Sequence, residues 1–235
     1  MTAGSIVADI GTDHAYVPIF LMETGQIAGA VAMDVNRGPL ERAEENIRRS
    51  GLADRIKTRL SDGFESLEAG EADCAVIAGM GGGLMMRILA EGSHVVGTLK
   101  ECILQPQSEI EKVRAFLLEE GFLFLAEDMV EEDGKYYPMM KVTSLTKEGL
   151  SDTGQEAEPW SGTELRYGRY LLRGKHPVLK QYLEREIHMK RKILDGLKGE
   201  DSPRSIRRRQ ELEEEIKYAE KGRMYYAVQR NYAGD

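Results

Sequence analysis

"VADIGTDHAYVP", residues 7 to 18, opens as an apolar strand, breaks at Gly11 and runs through Thr12-Asp13-His14 toward Pro18. A strand, a glycine turn and a helix in succession predict the first unit of a parallel α/β sheet. Such a junction ordinarily offers bare backbone amides to a nucleotide phosphate. Here an aspartate and a histidine occupy it, so the ligand has to differ in charge.

Short apolar runs alternate with amphipathic stretches for the next hundred residues. They predict strands near 5 to 10, 28 to 34, 56 to 61, 73 to 79 and 101 to 105, joined by crossover helices. "GPLERAEENIRRSG" has Pro39 early, acids before arginines, and Gly51 as its stop. "SEIEKVRAFLLEEG" has Ser108 as N-cap, Glu111 completing a capping box, and Gly121 as its stop. Two β-like runs then flank Asp133-Gly134, a hairpin signal that closes the sheet with an antiparallel pair. Residues 146 to 162 are polar and turn-rich and read as a linker. Beyond Trp160 two amphipathic patterns, broken at 199 to 205, predict an antiparallel helical hairpin. Leu179, Leu183, Ile187, Leu194 and Leu197 share one face of the first helix; Ile206, Leu212, Ile216 and Ala219 share one face of the second. Two domains follow, residues 1 to 150 and residues 151 to 235.

The chain's formal charge of −8 argues against a nucleic-acid partner only until it is divided. Residues 1 to 150 carry 14 basic against 25 acidic side chains, whereas residues 151 to 235 carry 18 against 15. The basic excess belongs to the C-terminal third. Cys74 and Cys102 both sit in apolar runs, which predicts buried, reduced thiols and a cytoplasmic protein. No export leader or membrane-spanning stretch is expected.

A dinucleotide fingerprint needs two further glycines after Gly11, and the run G-T-D-H-A-Y supplies neither. The Asp13 carboxylate would also repel a pyrophosphate. S-adenosylmethionine fits better, because it brings an adenosine, a cationic sulfonium and an ammonium, and no phosphate. Asp9 and Asp13 can favour the positive groups, and the backbone at Gly11 can approach closely. Asp34 closes the second predicted strand 23 residues after Gly11, close to the roughly 20-residue offset at which a carboxylate meets ribose hydroxyls. Asp62, followed by Gly63, ends the third strand and is placed to take the adenine amino group. "VIAGMGGGLMMRIL" ends the fourth strand in Gly79, Gly81, Gly82 and Gly83, more glycines than one turn requires, as though backbone had to approach a ligand or substrate base. An Asn/Asp-Pro-Pro-aromatic clamp for exocyclic amines is absent, as is the Pro-Cys nucleophile of C5 pyrimidine methylation.

"VADIGTDHAYVPI", "AMDVNRGPLERAEENI", "RLSDGF", "VIAGMGGGLMMRIL", "ILQPQSEIEKVRAFL" and "EEDGKYYPMMKV" occur together in an order that resembles the bacterial tRNA (adenine-22-N1)-methyltransferases, the TrmK-like family. The resemblance covers essentially the whole chain. It implies a Rossmann-like class I methyltransferase sheet in the order 3-2-1-4-5-7-6, S-adenosylmethionine as donor, and a C-terminal coiled-coil hairpin that helps to hold tRNA. Matched motif by motif, Gly11, Asp13 and His14 fall in the first cofactor loop and Asp34 with Val35 at the ribose acid. Asp62-Gly63 fall in the adenine loop, and Ala78-Gly79-Met80-Gly81 beside the reacting methyl. Members of that family usually begin with a helical segment ahead of the first motif. Here the first strand starts by residue 5: either this start is truncated or the N-terminal lid is missing, and a missing lid would lower affinity for cofactor or tRNA.

For catalysis the candidates are Tyr16, His14, Asn36 and Gln105. Tyr16 either contacts the acceptor adenine or packs beneath the first helix. His14 is a hydrogen-bond partner for cofactor or substrate, a proton relay, or a structural residue. Asn36 and Gln105, at neighbouring strand ends, are placed to orient the base. Met80 is a pocket wall. For RNA the candidates are Arg166, Arg169, Arg173 and Lys175, then Lys190, Arg191 and Lys192, then Arg204, Arg207, Arg208 and Arg209, with Trp160, Tyr167 and Tyr170 nearby for stacking. The bland reading of these clusters is a solvated helical face. A monomeric tRNA adenine-N1 methyltransferase is the leading expectation. The alternatives are a methyltransferase for another RNA site or a small molecule, and a non-catalytic RNA-binding protein that keeps the fold.

Overall fold

The computed structural model describes residues 2–144 and 158–227. Most of the linker expected at 146 to 162, and with it the boundary at 150, lies outside the described residues. The described residues form two compact units, residues 2–126 with 137–144, and residues 127–136 with 158–227.

The first unit is built on strands β1 (Ser5–Ile10), β2 (Ile27–Asp34), β3 (Ile56–Leu60), β4 (Cys74–Met80) and β5 (Glu101–Pro106). Helices α1 (Tyr16–Glu23), α2 (Arg37–Arg49), α3 (Gly82–Glu91) and α4 (Ser93–Val96) lie between them and α5 (Ile110–Glu119) follows β5, whereas β3 runs to β4 without the expected crossover helix. Strands β6 (Phe122–Glu132) and β7 (Lys135–Ser144) complete a seven-stranded sheet in the order β3-β2-β1-β4-β5-β7-β6, as expected. The pairings β1·β2, β2·β3, β1·β4 and β4·β5 are parallel and β5·β7 is antiparallel. β1 lies near the centre of the sheet, and Val7, Ala8 and Ile10 are buried together because helices cover a parallel sheet on both faces. At the β6–β7 turn Asp133 (φ 50°) and Gly134 (φ 74°) both take positive φ, the geometry that a two-residue hairpin loop requires.

Two local expectations change. α2 begins at Arg37, so no acid falls in its first turn, although Arg48 and Arg49 do occupy the last. α5 starts after Glu109, not Ser108, and no side chain caps it. The Ser108 hydroxyl instead accepts a hydrogen bond from the Gly82 N–H at the start of α3.

The second unit holds α6 (Gly162–Tyr167), α7 (Arg169–Arg173) and the hairpin helices α8 (Pro177–Gly196) and α9 (Pro203–Met224). Its core gathers Tyr167, Leu171, Leu172, Leu179, Leu183, Ile187 and Ala219 around Met129 from the tip of β6. Leu212 and Ile216 are buried as the periodicity predicts, whereas Ile206 is 40 % exposed and Leu194 and Leu197 are half-buried. The apolar seam therefore fades toward the hairpin tip. No helix among the described residues is long and apolar enough to cross a membrane.

Candidate active site

A cavity of about 440 Å³ opens at the C-terminal ends of the parallel strands, where open α/β sheets bind ligands. Ile10 at the end of β1 and the adjoining Gly11 line it, as do Asp34 at the end of β2 and the following Val35 and Asn36. Ser61, Asp62 and Gly63 contribute from the loop after β3, and Ala78, Gly79 and Met80 from β4. Leu84, Arg87 and Ile88 close it from α3. These last three, with Ile10 and Ser61, had not been singled out; the spacing of Leu84 and Ile88 on the helix after the glycine run was the available signal.

Each strand end is shaped by its backbone. Gly11 takes φ 74°, and a Cβ there would stand 2.9 Å from Met80 Cε. Its N–H and that of Thr12 both donate to Met33 O at 2.8 Å, which ties the first loop to β2. Gly79 takes φ 77° at a register shift between Ala78 and Met80 in β4. Its N–H donates to Gln105 Oε1 at 2.9 Å. Gln105 thus braces the turn that carries Met80; it is absent from the cavity wall and is not free to orient a base.

Asp34 and Asp62 keep accepting capacity. Asp34 Oδ1 accepts the Asn36 N–H at 2.7 Å, which leaves the other carboxylate oxygen for a hydroxyl pair. Asp62 is met by Arg87. The Asn36 side chain caps nothing although Asn36 precedes α2.

The glycine run serves packing more than ligand approach. A Cβ on Gly82 would lie 2.5 Å from Ser108 O and 2.8 Å from Val113 Cγ2. Ser108 Oγ accepts from Gly82 N–H at 3.3 Å and Glu109 Oε2 from Gly83 N–H at 3.2 Å. The first two amides of α3, which would otherwise be offered to a phosphate, are therefore already taken. Gly81 is outside the cavity wall for the same reason: it caps α3 beside Ser108. Strand-end carboxylates without a free amide nest suit a nucleoside that carries positive charge and no phosphate.

Besides Gly81, three residues expected to hold cofactor, Asp9, Asp13 and His14, stand off the cavity. Asp9 is 6 % exposed and accepts the Thr12 hydroxyl at 2.6 Å; burial pushes its carboxyl up to about 6, and the Thr12 bond only partly opposes this. It shapes the first loop from beneath. The Asp13 carboxylate is exposed and lies 3.2 Å from His14 Nε2. His14 and Ala15 both take positive φ, 59° and 56°, a conformation uncommon outside glycine. Asn46 Nδ2 holds the strained segment by donating to His14 O at 3.0 Å. The strain presents Tyr16, 63 % exposed and stacked on the His14 ring at 5.2 Å with planes 10° apart. Packing beneath α1 is thereby ruled out for Tyr16.

In the helical unit the basic clusters divide. Arg169 is buried, forks onto both carboxylate oxygens of Glu164, donates to Pro159 O and lies over Trp160. Arg173 joins Glu164 and Glu158, Lys190 bridges Glu186 and Glu215, and Arg191 meets Glu220. Arg208 meets Glu211 and Glu215, and Arg209 caps the end of α8 through Leu197 O and Glu200 O. Arg166 lies over the Tyr218 ring. The expectation that Arg169 and Arg209 meet phosphate is corrected: both complete the fold. Tyr167 is likewise buried, donating to Glu186, and offers no stacking face. Lys175, Lys192, Arg204 and Arg207 are exposed and form no ion pair among the described residues.

The sheet order and a strand-end site for a charged nucleoside define a class I, S-adenosylmethionine-dependent methyltransferase. The family model described as tRNA (adenine(22)-N(1))-methyltransferase, TrmK, matches residues 7–221, so the chain belongs to that family and is a tRNA adenine-N1 methyltransferase that uses S-adenosylmethionine. The Bacillus subtilis tRNA (adenine(22)-N(1))-methyltransferase is 31 % identical over 198 residues, 83 % of this chain and 79 % of that protein. Streptococcus pneumoniae Sp1610, solved in complex with S-adenosyl-L-methionine, superposes with a TM-score of 0.79 at 32 % identity and covers 94 % of each chain. Mycoplasma capricolum TrmK in complex with S-adenosyl-homocysteine gives 0.77 at 25 %, covering 97 % of this chain and 94 % of that one.

Proposed function

We propose that the 440 Å³ cavity holds S-adenosylmethionine with its adenosine between Asp34 and Asp62 and its reactive end toward Gly11 and Met80, where an adenine of tRNA presents N1. The observation that carries this reading is the pair of strand-end carboxylates in a cavity whose neighbouring helix amides are already capped. Bound S-adenosylmethionine supplies a methyl group on a cationic sulfur. Asp34 accepts the ribose hydroxyls with the oxygen that Asn36 leaves free. Asp62 accepts the adenine amino group. Gly11 lets the chain pass close to the methionine end, and Met80, braced through Gly79 by Gln105, forms the wall behind the methyl.

Adenine N1 attacks through an in-plane lone pair, so no proton has to leave before transfer. Positioning then carries most of the acceleration. The target edge is a pairing edge and must be exposed by flipping or local unpairing. Tyr16 is the platform for the exposed base, with His14 behind it; stacking of this kind contributes roughly 1–3 kcal/mol per base. Lys175, Lys192, Arg204 and Arg207 make the phosphate contacts, with Arg166 and Tyr170 beside them. The enzyme acts as a monomer and in the cytoplasm, the latter suiting thiols as buried and unpaired as Cys74 and Cys102.

Incubation with unmodified tRNA and labelled S-adenosylmethionine, followed by digestion to nucleosides and mapping of the site, tests the reading. Label in 1-methyladenosine from position 22 is expected; label on guanine or on an exocyclic nitrogen overturns it.

A further inference from the structure

β5 ends in Gln105-Pro106 and Gln107 follows it, and the two glutamines have different fates. Gln105 is spent on the Gly79 N–H. Two residues on, the Gln107 N–H donates to Met80 O at 2.9 Å, which pins its backbone against the cavity wall. Its carboxamide stays free: the residue is exposed, has no side-chain partner among the described residues, and places Nε2 3.9 Å from the position a Cβ would take on Gly79. Gln107 does not line the cofactor cavity. It stands at the rim, next to the two residues assigned to the wall behind the methyl.

Other polar side chains near this rim are committed. Ser108 and Glu109 cap Gly82 and Gly83, and His14 faces Asp13. Asn36 lines the cofactor cavity, and Tyr16 offers a ring face, which cannot tell one base from another. A carboxamide can. Glutamine pairs with adenine by accepting from the N6 amino group and donating to N7. That arrangement uses the far side of N6 and leaves the N1 lone pair open to the methyl. Guanine presents an oxygen in place of the amino group, so the carboxamide oxygen would face another acceptor.

We infer that Gln107 is the residue that selects adenine as methyl acceptor, by a bidentate contact to N6 and N7. The inference rests on the adenine-N1 reading of the site and deepens it.

The test uses the full chain under single-turnover conditions with tRNA carrying adenine or 7-deazaadenine at the target position. 7-Deazaadenine keeps N1 and N6 and replaces N7 by a carbon. The wild-type chain is expected to methylate the 7-deaza tRNA on the order of tenfold more slowly, the value of one lost contact in a bidentate pair. Gln107→Ala should lose a comparable or larger factor on adenine, no longer distinguish the two tRNAs, and bind S-adenosylmethionine as the wild type does. Gln107→Glu should reverse the preference, because its carboxylate accepts from N6 and is repelled only when N7 carries a lone pair. Full activity of Gln107→Ala on adenine, or its continued discrimination against 7-deazaadenine, overturns the inference. Wild-type methylation of a guanine or an exocyclic nitrogen overturns the underlying reading instead.

Discussion

Arg87 of α3 sets Nη2 3.2 Å from Oδ1 of Asp62, so the acid assigned to the cofactor's adenine enters the cavity already paired. Both side chains are nearly half exposed, and exposed pairs contribute little to folding. The pair therefore matters for orientation. Arg87→Ala is expected to leave the melting temperature unchanged and to weaken S-adenosylmethionine binding about two- to fivefold, an effect that fades near 1 M salt as screening removes the pair. Asp62→Ala should weaken binding by at least about tenfold, the scale of a hydrogen bond to a charged group. Titration calorimetry at two salt concentrations distinguishes these outcomes.

At Gly82 α3 packs tightly against the loop ahead of α5. A methyl group there meets a backbone oxygen, Ser108 O, which cannot swing aside. Gly82→Ala should cost about 1–3 kcal/mol, the range for overpacking. Gly83→Ala meets only the flexible end of Glu109 at 3.1 Å and should cost clearly less. Urea unfolding of the two variants compares them directly, and equal losses would refute the close approach.

Asp9 makes stability depend on pH in the direction opposite to a salt-bridged acid. Burial raises its carboxyl from 3.8 to about 6 in the folded chain, so between those values the folded state holds the proton that the unfolded state has lost. Its contribution is greatest at low pH and is lost as pH rises through about 6. Asp9→Asn, which cannot ionise, should therefore gain on the wild type by about 2 kcal/mol more at pH 8 than at pH 4.5. A difference that does not change with pH would mean that Asp9 is charged throughout.

Arg169 and Arg207 look alike in the sequence and should behave in opposite ways. Arg169→Ala strands the buried Glu164 carboxylate and is expected to cost about 3 kcal/mol or more, with Arg173 left as its remaining cation. Arg207→Ala should leave stability alone, weaken tRNA binding, and lower the salt-dependence slope of that binding by about one. Thermal melts and binding isotherms over a range of salt concentrations separate the two.

Much of the sheet was legible because its signals are local. Ile27 to Met33 and Cys74 to Ile77 are apolar runs with an aspartate at one end, Val7 to Ile10 is interrupted only by Asp9 and stopped by Gly11, and Asp133-Gly134 can hardly be anything but a hairpin turn. The carboxylates Asp34 and Asp62 were legible for a related reason, since strand ends fix where a ligand edge falls. What could not be read is whatever another element supplies. Ser108 looked like a cap for its own helix and serves α3, because the bulge at Gly79 and the close packing of α3 on the α5 loop exist only in the fold. Gln105 looked free until Gly79 claimed it, and Gln107, two residues later, passed unnoticed. Arg169 joined a basic cluster on paper, but the Ser161-Glu164 capping box places a carboxylate beneath it.

The tip of the β6–β7 hairpin has a further consequence. Residues Glu127–Tyr136 comprise the end of β6, the turn and the start of β7, yet they belong with the helical unit, where Met129 and Tyr136 pack among Tyr167, Leu179 and Tyr182. The backbone therefore passes between the units at 126/127, at 136/137 and again after β7. Cutting only the last of these would leave the hairpin tip without its apolar partners. The catalytic sheet and the helical hairpin are thus interleaved along the gene, so a recombination event that exchanged the C-terminal segment alone would have to bring with it a matching hairpin tip.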